Sequence, residues 1–123
     1  MGDHGGGQEA LARAAARLDA AWRARGVRVF FVGDVYTKAR DATRAYLTAH
    51  HIAPGDHAGP DDTSELWAID STHRWIRADR LAPGDGKNGV SGDPRPASPE
   101  MGRIFLGYKI AAAVTEIRRL RGR

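Results

Sequence analysis

Residues 27–51 read VRVFFVGDVYTKARDATRAYLTAHH, and this stretch decides the predicted fold class. Residues 27–32 combine three valines with two phenylalanines, a composition typical of a buried strand. Gly33 and Asp34 end that strand, and apolar residues at helical spacing then predict a helix from about residue 37 to residue 51. Because strand, turn and helix make half of a βαβ unit, we expect an α/β or α+β protein.

The flanking sequence extends this prediction on both sides. Residues 1–7 are a flexible glycine-rich tail, and residues 8–25 carry the apolar stripe of a helix that packs one face on a core. Residues 65–69 (ELWAI) predict a second strand. Residues 71–82 leave two alternatives open: a hairpin into a third strand at 74–78, or a short helix capped by Ser71. We prefer the hairpin, which gives a central sheet of about three strands.

The last third of the chain predicts a loop and a long helix. Residues 83–99 are rich in glycine and proline, as expected of a connecting loop. Ser98 is a candidate N-cap, followed by Pro99 at the first helical position. Residues 104–114 are apolar nearly all round, which predicts a long apolar C-terminal helix that self-associates through this stretch. Residues 8–123 thus form a single small domain.

Composition excludes several classes of protein. The chain has 123 residues and no cysteine, which excludes a disulfide scaffold, a thiolate zinc site and a cysteine nucleophile. Its longest apolar stretch falls short of the ~20 residues that a membrane span requires. No targeting signal is visible at the start, so a cytoplasmic location is expected.

The net charge of +4 is concentrated at one end of the chain. Residues 1–100 hold thirteen Lys and Arg against fourteen Asp and Glu, whereas residues 101–123 hold six against one. Arginine pairs well with phosphate, and arginines beside an aromatic ring suit single-stranded nucleic acid. The candidate nucleic-acid-binding residues are therefore Arg74, Arg77 and Arg80 around Trp75, and Arg118, Arg119, Arg121 and Arg123 at the C-terminus.

Two constellations could carry enzymatic chemistry. Asp34 and Asp70 each follow a predicted strand, where two carboxylates could hold a divalent metal. Residues 50–62 form a loop rich in histidine and aspartate, a suitable donor set for a transition metal. The catalytic candidates are Asp34, Asp70 and His51, and the candidate metal ligands are His50, His51, Asp56 and His57.

No nucleophile–base pair stands at a recognisable spacing, and no cofactor fingerprint is present, which favours a non-enzymatic protein without a cofactor. The sequence therefore predicts a small oligomeric binding or assembly protein whose basic C-terminal helix contacts nucleic acid. The alternative is a metal-dependent hydrolase or nuclease. It would use loop 50–62 or the two strand-end acids with a divalent metal.

Overall fold

The computed structural model describes residues 4–72 and 74–122. Most of these residues are helical. The four α-helices are α1 (Gln8–Trp22), α2 (Thr37–Ala49), α3 (Pro60–Ile69) and α4 (Pro99–Arg121), and short 3₁₀ turns occur at Gly5–Gly7, Arg23–Arg25 and Ala78–Arg80. Two strands of two residues, β1 (Gly84–Asp85) and β2 (Ser91–Gly92), pair antiparallel with Gly84 opposite Gly92.

The predicted sheet of about three strands, and with it the α/β or α+β fold class, is wrong. Residues 27–32 pair with no strand in the described part of the chain, and residues 65–69 belong to α3. Residues 74–77 form neither the third strand nor the short helix considered for residues 71–82. The regular structure between residues 74 and 82 is a 3₁₀ turn. The protein is a helical fold with a minimal hairpin inside the predicted loop 83–99.

Helix α3 replaces the second predicted strand because its start signals lie upstream of the apolar run. Gly59 occupies the N-cap, and Pro60 takes the first helical position, where its missing N–H is no loss. Asp61 and Asp62 follow in the first turn, where carboxylates interact favourably with the helix dipole. The run ELWAI is therefore the second half of a helix that begins in the predicted polar loop.

The predicted helix after residue 37 is confirmed as α2, and the predicted start of the last helix is confirmed as well. The Ser98 side chain accepts a hydrogen bond from the backbone N–H of Met101 at 3.2 Å. The apolar character assigned to α4 is wrong, because its inward face carries Lys109 and the buried Glu116 while Ile110 is 65% exposed. No helix in the described ranges has the length and apolarity to cross a membrane.

The core lies where α4 packs against α2 and α3. Leu47 of α2 meets Met101 and Phe105 of α4, and Tyr46 and Tyr108 cover the edge of this cluster. Gly102 brings α4 close to α3: a Cβ atom at Gly102 would lie 1.9 Å from the carbonyl oxygen of Ser64. Only a residue without a side chain permits this approach of the two helices.

Helix α1 does not pack as its amphipathic sequence predicts. Its only buried residue among those described is Asp19, whereas Leu11 and Leu18 of its apolar stripe are 45% and 41% exposed. The stripe forms one wall of an open groove instead of covering the core.

We expect Gly102→Ala to lower the free energy of unfolding by about 1–3 kcal/mol or more, since the added methyl group overpacks the α3–α4 contact. Gly107→Ala is the matched control, because a Cβ there meets nothing within 4 Å. At this helical position alanine should raise stability by up to ~1 kcal/mol. Urea unfolding followed by circular dichroism measures both, and equal effects of the two substitutions would contradict the close approach.

Candidate functional site

The segment that follows α3 is held in place by one buried carboxylate. Asp70 is 2% exposed and accepts hydrogen bonds from the hydroxyl of Thr72 at 2.7 Å and from the backbone N–H of Trp75 at 2.6 Å. Burial raises the pKa of Asp70, but these donors outweigh burial and hold its pKa below the ordinary value. The carboxylate therefore fixes the backbone on which Trp75 and its neighbouring arginines are displayed.

A groove of about 530 Å³ lies beside this segment, and we call it the Trp75 groove. Trp75 is 58% exposed and lines it together with Arg77 and Arg80. The remaining lining residues come from α3 and the turn before it (Ala58, Asp62, Thr63 and Leu66), from the Trp75 segment itself (Ile76, Leu81 and Ala82), and from the β1–β2 hairpin and the residues after it (Asn88, Val90 and Pro94). The groove thus combines an aromatic face, a mostly apolar wall and two guanidinium groups.

The arginine side chains of this segment are exposed and make at most weak ion pairs. Arg80 lies 4.0 Å from Asp79, and both side chains are mostly exposed, so this pair contributes little. Arg77 has no ion-pair partner among the described residues. Arg74 is exposed but does not line the groove. Two of the three predicted arginines therefore share one site with the tryptophan.

The C-terminal arginines lie apart from the Trp75 groove. The helical rise puts Arg118 roughly 13 Å along the axis of α4 beyond Lys109, which pairs with Glu65 of α3. Arg119 lies 3.2 Å from Glu116, whereas Arg118 and Arg121 are exposed and form no ion pair within residues 4–72 and 74–122. Arg123 lies outside the described residues.

The two strand-end acids do not share a site. Asp34 forms an ion pair with Lys38 at 2.6 Å, and its backbone N–H donates to the Glu116 carboxylate at 2.7 Å. Asp70 is committed to the turn that carries Trp75. Both acids have structural partners, and the structure does not bring them together in any of the cavities it describes.

The histidines of loop 50–62 are likewise dispersed. The ring of His50 stacks on Tyr46 with centroids 3.9 Å apart, and its Nδ1 lies 2.8 Å from the Tyr46 carbonyl oxygen. His51 has a φ of 57° at the end of α2. Asp56 and His57 are exposed, and their backbones bond to Ser91.

Across the residues that the structure describes, no three His, Asp or Glu side chains are grouped so as to hold a metal ion. The catalytic role of His51 and the hydrolase alternative remain predictions from the sequence.

A third concave region is not evident from the sequence. This charged cleft lies between α2, α3 and α4 and is lined by Tyr36, Arg40, Thr43, Asp61, Asp62, Glu65 and Lys109. Glu65 pairs with Lys109 across the two helices, with both side chains mostly buried. Asp61 and Glu65 are one helical turn apart, a signal that is hidden when residue 61 is placed in a loop and residue 65 in a strand.

The pKa of Asp61 in the charged cleft is shifted. Burial raises its pKa above the ordinary value, and the neighbouring charge of Asp62 raises it further. Asp62 itself accepts a hydrogen bond from the backbone N–H of Ala58 at 2.9 Å, which fixes the turn before α3. The cleft has a volume of only about 70 Å³, so it is a structural charge cluster rather than a space for an organic ligand.

Comparison of the chain with protein families, with characterised proteins and with solved structures finds no match. Function is therefore argued from the geometry of the sites alone.

We expect Asp61→Asn to raise the free energy of unfolding at pH 7. A carboxyl group whose pKa is higher in the folded than in the unfolded state destabilises the fold when it is ionised. The free energy of unfolding therefore falls as the pH rises from the unfolded-state pKa through the folded-state pKa. The increase in unfolding free energy caused by Asp61→Asn should become smaller as the pH falls from 7 to 4. Urea unfolding at several pH values measures this increase. Asp41→Asn on the exposed face of α2 is the control, and a gain independent of pH would contradict the raised pKa.

Proposed function

We propose that the chain is a small nucleic-acid-binding protein that holds a single strand in the Trp75 groove. The observation that carries the proposal is the position of an exposed tryptophan beside Arg77 and Arg80 in one concave surface. Every base offers a flat face on which an aromatic ring can stack, and the arginines supply charge for the backbone phosphates.

The groove also indicates how a strand would be oriented. Asp62 on the α3 side would repel phosphates, whereas Arg77 and Arg80 attract them. A stacked base therefore extends from Trp75 toward the apolar wall near Leu66, and the phosphates follow the arginine side. Recognition of this kind is tolerant of sequence, because stacking and charge do not read base edges.

The basic end of α4 supports a second contact with phosphate. Arg118 and Arg121 have no carboxylate partner in the described chain, so their charge is available to a polyanion. Because this end extends beyond the contact of α4 with α3 and does not line the Trp75 groove, it would contact a different part of a bound strand. We propose it as an auxiliary arm that adds affinity without a stacking platform.

We expect a fluorescein-labelled dT₁₂ or rU₁₂ oligomer to bind at low salt and to quench tryptophan fluorescence, of which Trp75 is the contributor that lines the groove. Trp75→Ala should weaken binding by about 5- to 150-fold, which corresponds to the loss of ~1–3 kcal/mol of stacking free energy. Arg77→Ala combined with Arg80→Ala should also reduce the dependence of log K on log salt by about 0.7 for each phosphate that the protein no longer neutralises. Fluorescence anisotropy over a salt series measures both quantities.

The matched control is Arg44→Ala, an exposed arginine on α2 that does not line the groove. It should leave affinity nearly unchanged. Absence of binding even at low salt, or an equal loss of affinity for Arg44→Ala and for the combined Arg77→Ala and Arg80→Ala variant, would refute the proposal.

The arm is tested separately with Arg118→Ala combined with Arg121→Ala. These exposed residues should not change stability. The double variant should lower the salt dependence while the quenching of Trp75 at saturation remains. An unchanged salt dependence would show that the arm does not touch the strand.

A further inference from the structure

Residues 27–32 form a segment with strand-like alternation but without a strand partner. The guanidinium of Arg28 lies 4.8 Å from the ring centroid of Phe30, and a Cβ atom at Gly33 would lie 2.7 Å from the ring of Phe31. Side chains two residues apart are thus on the same side, as in a strand. The backbone N–H and C=O groups of Arg28, Phe30 and Val32 have no hydrogen bond to any described residue.

The segment is nevertheless held firmly at both ends. Asp19 of α1 accepts hydrogen bonds from the side chain of Arg28 at 2.8 Å and from the backbone N–H of Val29 at 2.9 Å. The bond from Arg28, followed by the bonds from Val29 and Arg23, lowers the pKa of Asp19. At the other end, Glu116 of α4 accepts from the backbone N–H of Asp34. These anchors therefore hold the backbone up to Asp34 in one conformation, although several of its N–H and C=O groups are unpaired.

An apolar groove of about 510 Å³ runs beside this segment. One wall is the apolar stripe of α1, including Leu11 and Leu18, and the other is residues 29–32. Because Val29 donates its N–H toward α1, strand alternation directs the N–H groups of Arg28, Phe30 and Val32 to the opposite edge. That edge presents a row of donors and acceptors with no partner in the described chain, the arrangement to which another strand adds.

The chain exposes more surface than a compact monomer of its mass. The accessible surface is 8396 Å² for a mass of 13.3 kDa. A folded monomer of this mass is expected to expose about 6,450 Å². The excess of roughly 1,900 Å² exceeds the ~800 Å² that each partner buries in a standard stable interface.

We propose that two copies of this chain pair antiparallel through residues 27–32, edge to edge. Strands paired through the edge of Arg28, Phe30 and Val32 must place these residues opposite one another. The symmetric register puts Phe30 opposite its own copy and Arg28 opposite Val32. It forms about six backbone hydrogen bonds between the chains.

This register explains why a second copy fits the edge. No arginine faces an arginine, and each Arg28 is paired with the Asp19 of its own chain, a carboxylate that it shares with Arg23. The two Phe30 rings form a cross-strand aromatic pair. Because the contact is isologous, it closes on itself and leaves a dimer rather than a fibre.

The sequence predicts a different self-association, through residues 104–114, and α4 does expose Ile104, Ile110 and Val114 on its outer face. That face presents side chains only, since the helical backbone is already hydrogen bonded within α4. The edge at residues 27–32 has unpaired backbone groups in addition to apolar side chains, and we place the interface there.

Disulfide trapping tests the register directly, because the chain has no cysteine of its own. Phe30→Cys should form a cross-linked dimer, since Cα atoms of directly opposed residues lie about 5.5 Å apart, within disulfide range. An equimolar mixture of Val29→Cys and Phe31→Cys should cross-link as a mixed pair and much less when each variant is alone. Ile110→Cys reports on the α4 face, and Ala45→Cys on the exposed side of α2 is the background control.

A second measurement uses the unmodified chain, so that the test does not depend on the folding of a variant. Sedimentation equilibrium should give a dimer mass that falls toward the monomer on dilution. Amide exchange at Phe30 and Val32 should be slower at high than at low concentration. A monomer at ~100 μM, or cross-linking of Ile110→Cys with Phe30→Cys at background, overturns the proposal. Neither result depends on nucleic-acid binding.

Discussion

The close approach of α4 to α3 at Gly102 is the contact on which the rest of the fold depends. Ser64 is completely buried there, its hydroxyl donates to the Pro60 carbonyl, and it accepts the backbone N–H of Ser98 at 3.1 Å. One serine thus joins the start of α4 to α3 without leaving a buried polar group unpaired. With α4 fixed at this point, Phe105 reaches Leu47 of α2 and Lys109 reaches Glu65 of α3.

The parts of the fold that are predictable from the sequence are those decided by local signals. The N-cap at Ser98 followed by Pro99 sets the start of α4, and the apolar spacing after residue 37 predicts α2. The prediction for residues 65–69 is wrong because five apolar-rich residues suit a buried strand and a short helix equally. The deciding signals, Pro60 and the two aspartates after it, are equally typical of the polar loop that the sequence predicts there.

Residues 27–32 depart from the prediction for a different reason. Their composition is that of a strand, and their side chains alternate as in one, but a strand also requires a partner. Local sequence cannot specify a partner, so the preference of the residues is correct while the sheet is not formed. The Trp75 groove is likewise only partly predictable. The proximity of Trp75, Arg77 and Arg80 follows from their spacing in the sequence, but the groove also requires residues of α3 and of the hairpin, which local sequence does not bring there. Glu65 and Lys109, 44 positions apart, could not be paired from the sequence at all.

The bond from Asp34 to Glu116 spans 82 positions of the chain, whereas the contacts of α3 with α4 span roughly half that distance. Closing a longer loop takes more entropy and is slower, so the order of folding follows from these separations. We expect α3 and α4 to form a hairpin-like nucleus first and residues 19–34 to attach last. The region that attaches last with few buried contacts is also the region that opens most readily in the native protein. We therefore expect residues 19–34 to open before the α3–α4 pair does, although Asp19 and Glu116 hold them in place in the native state.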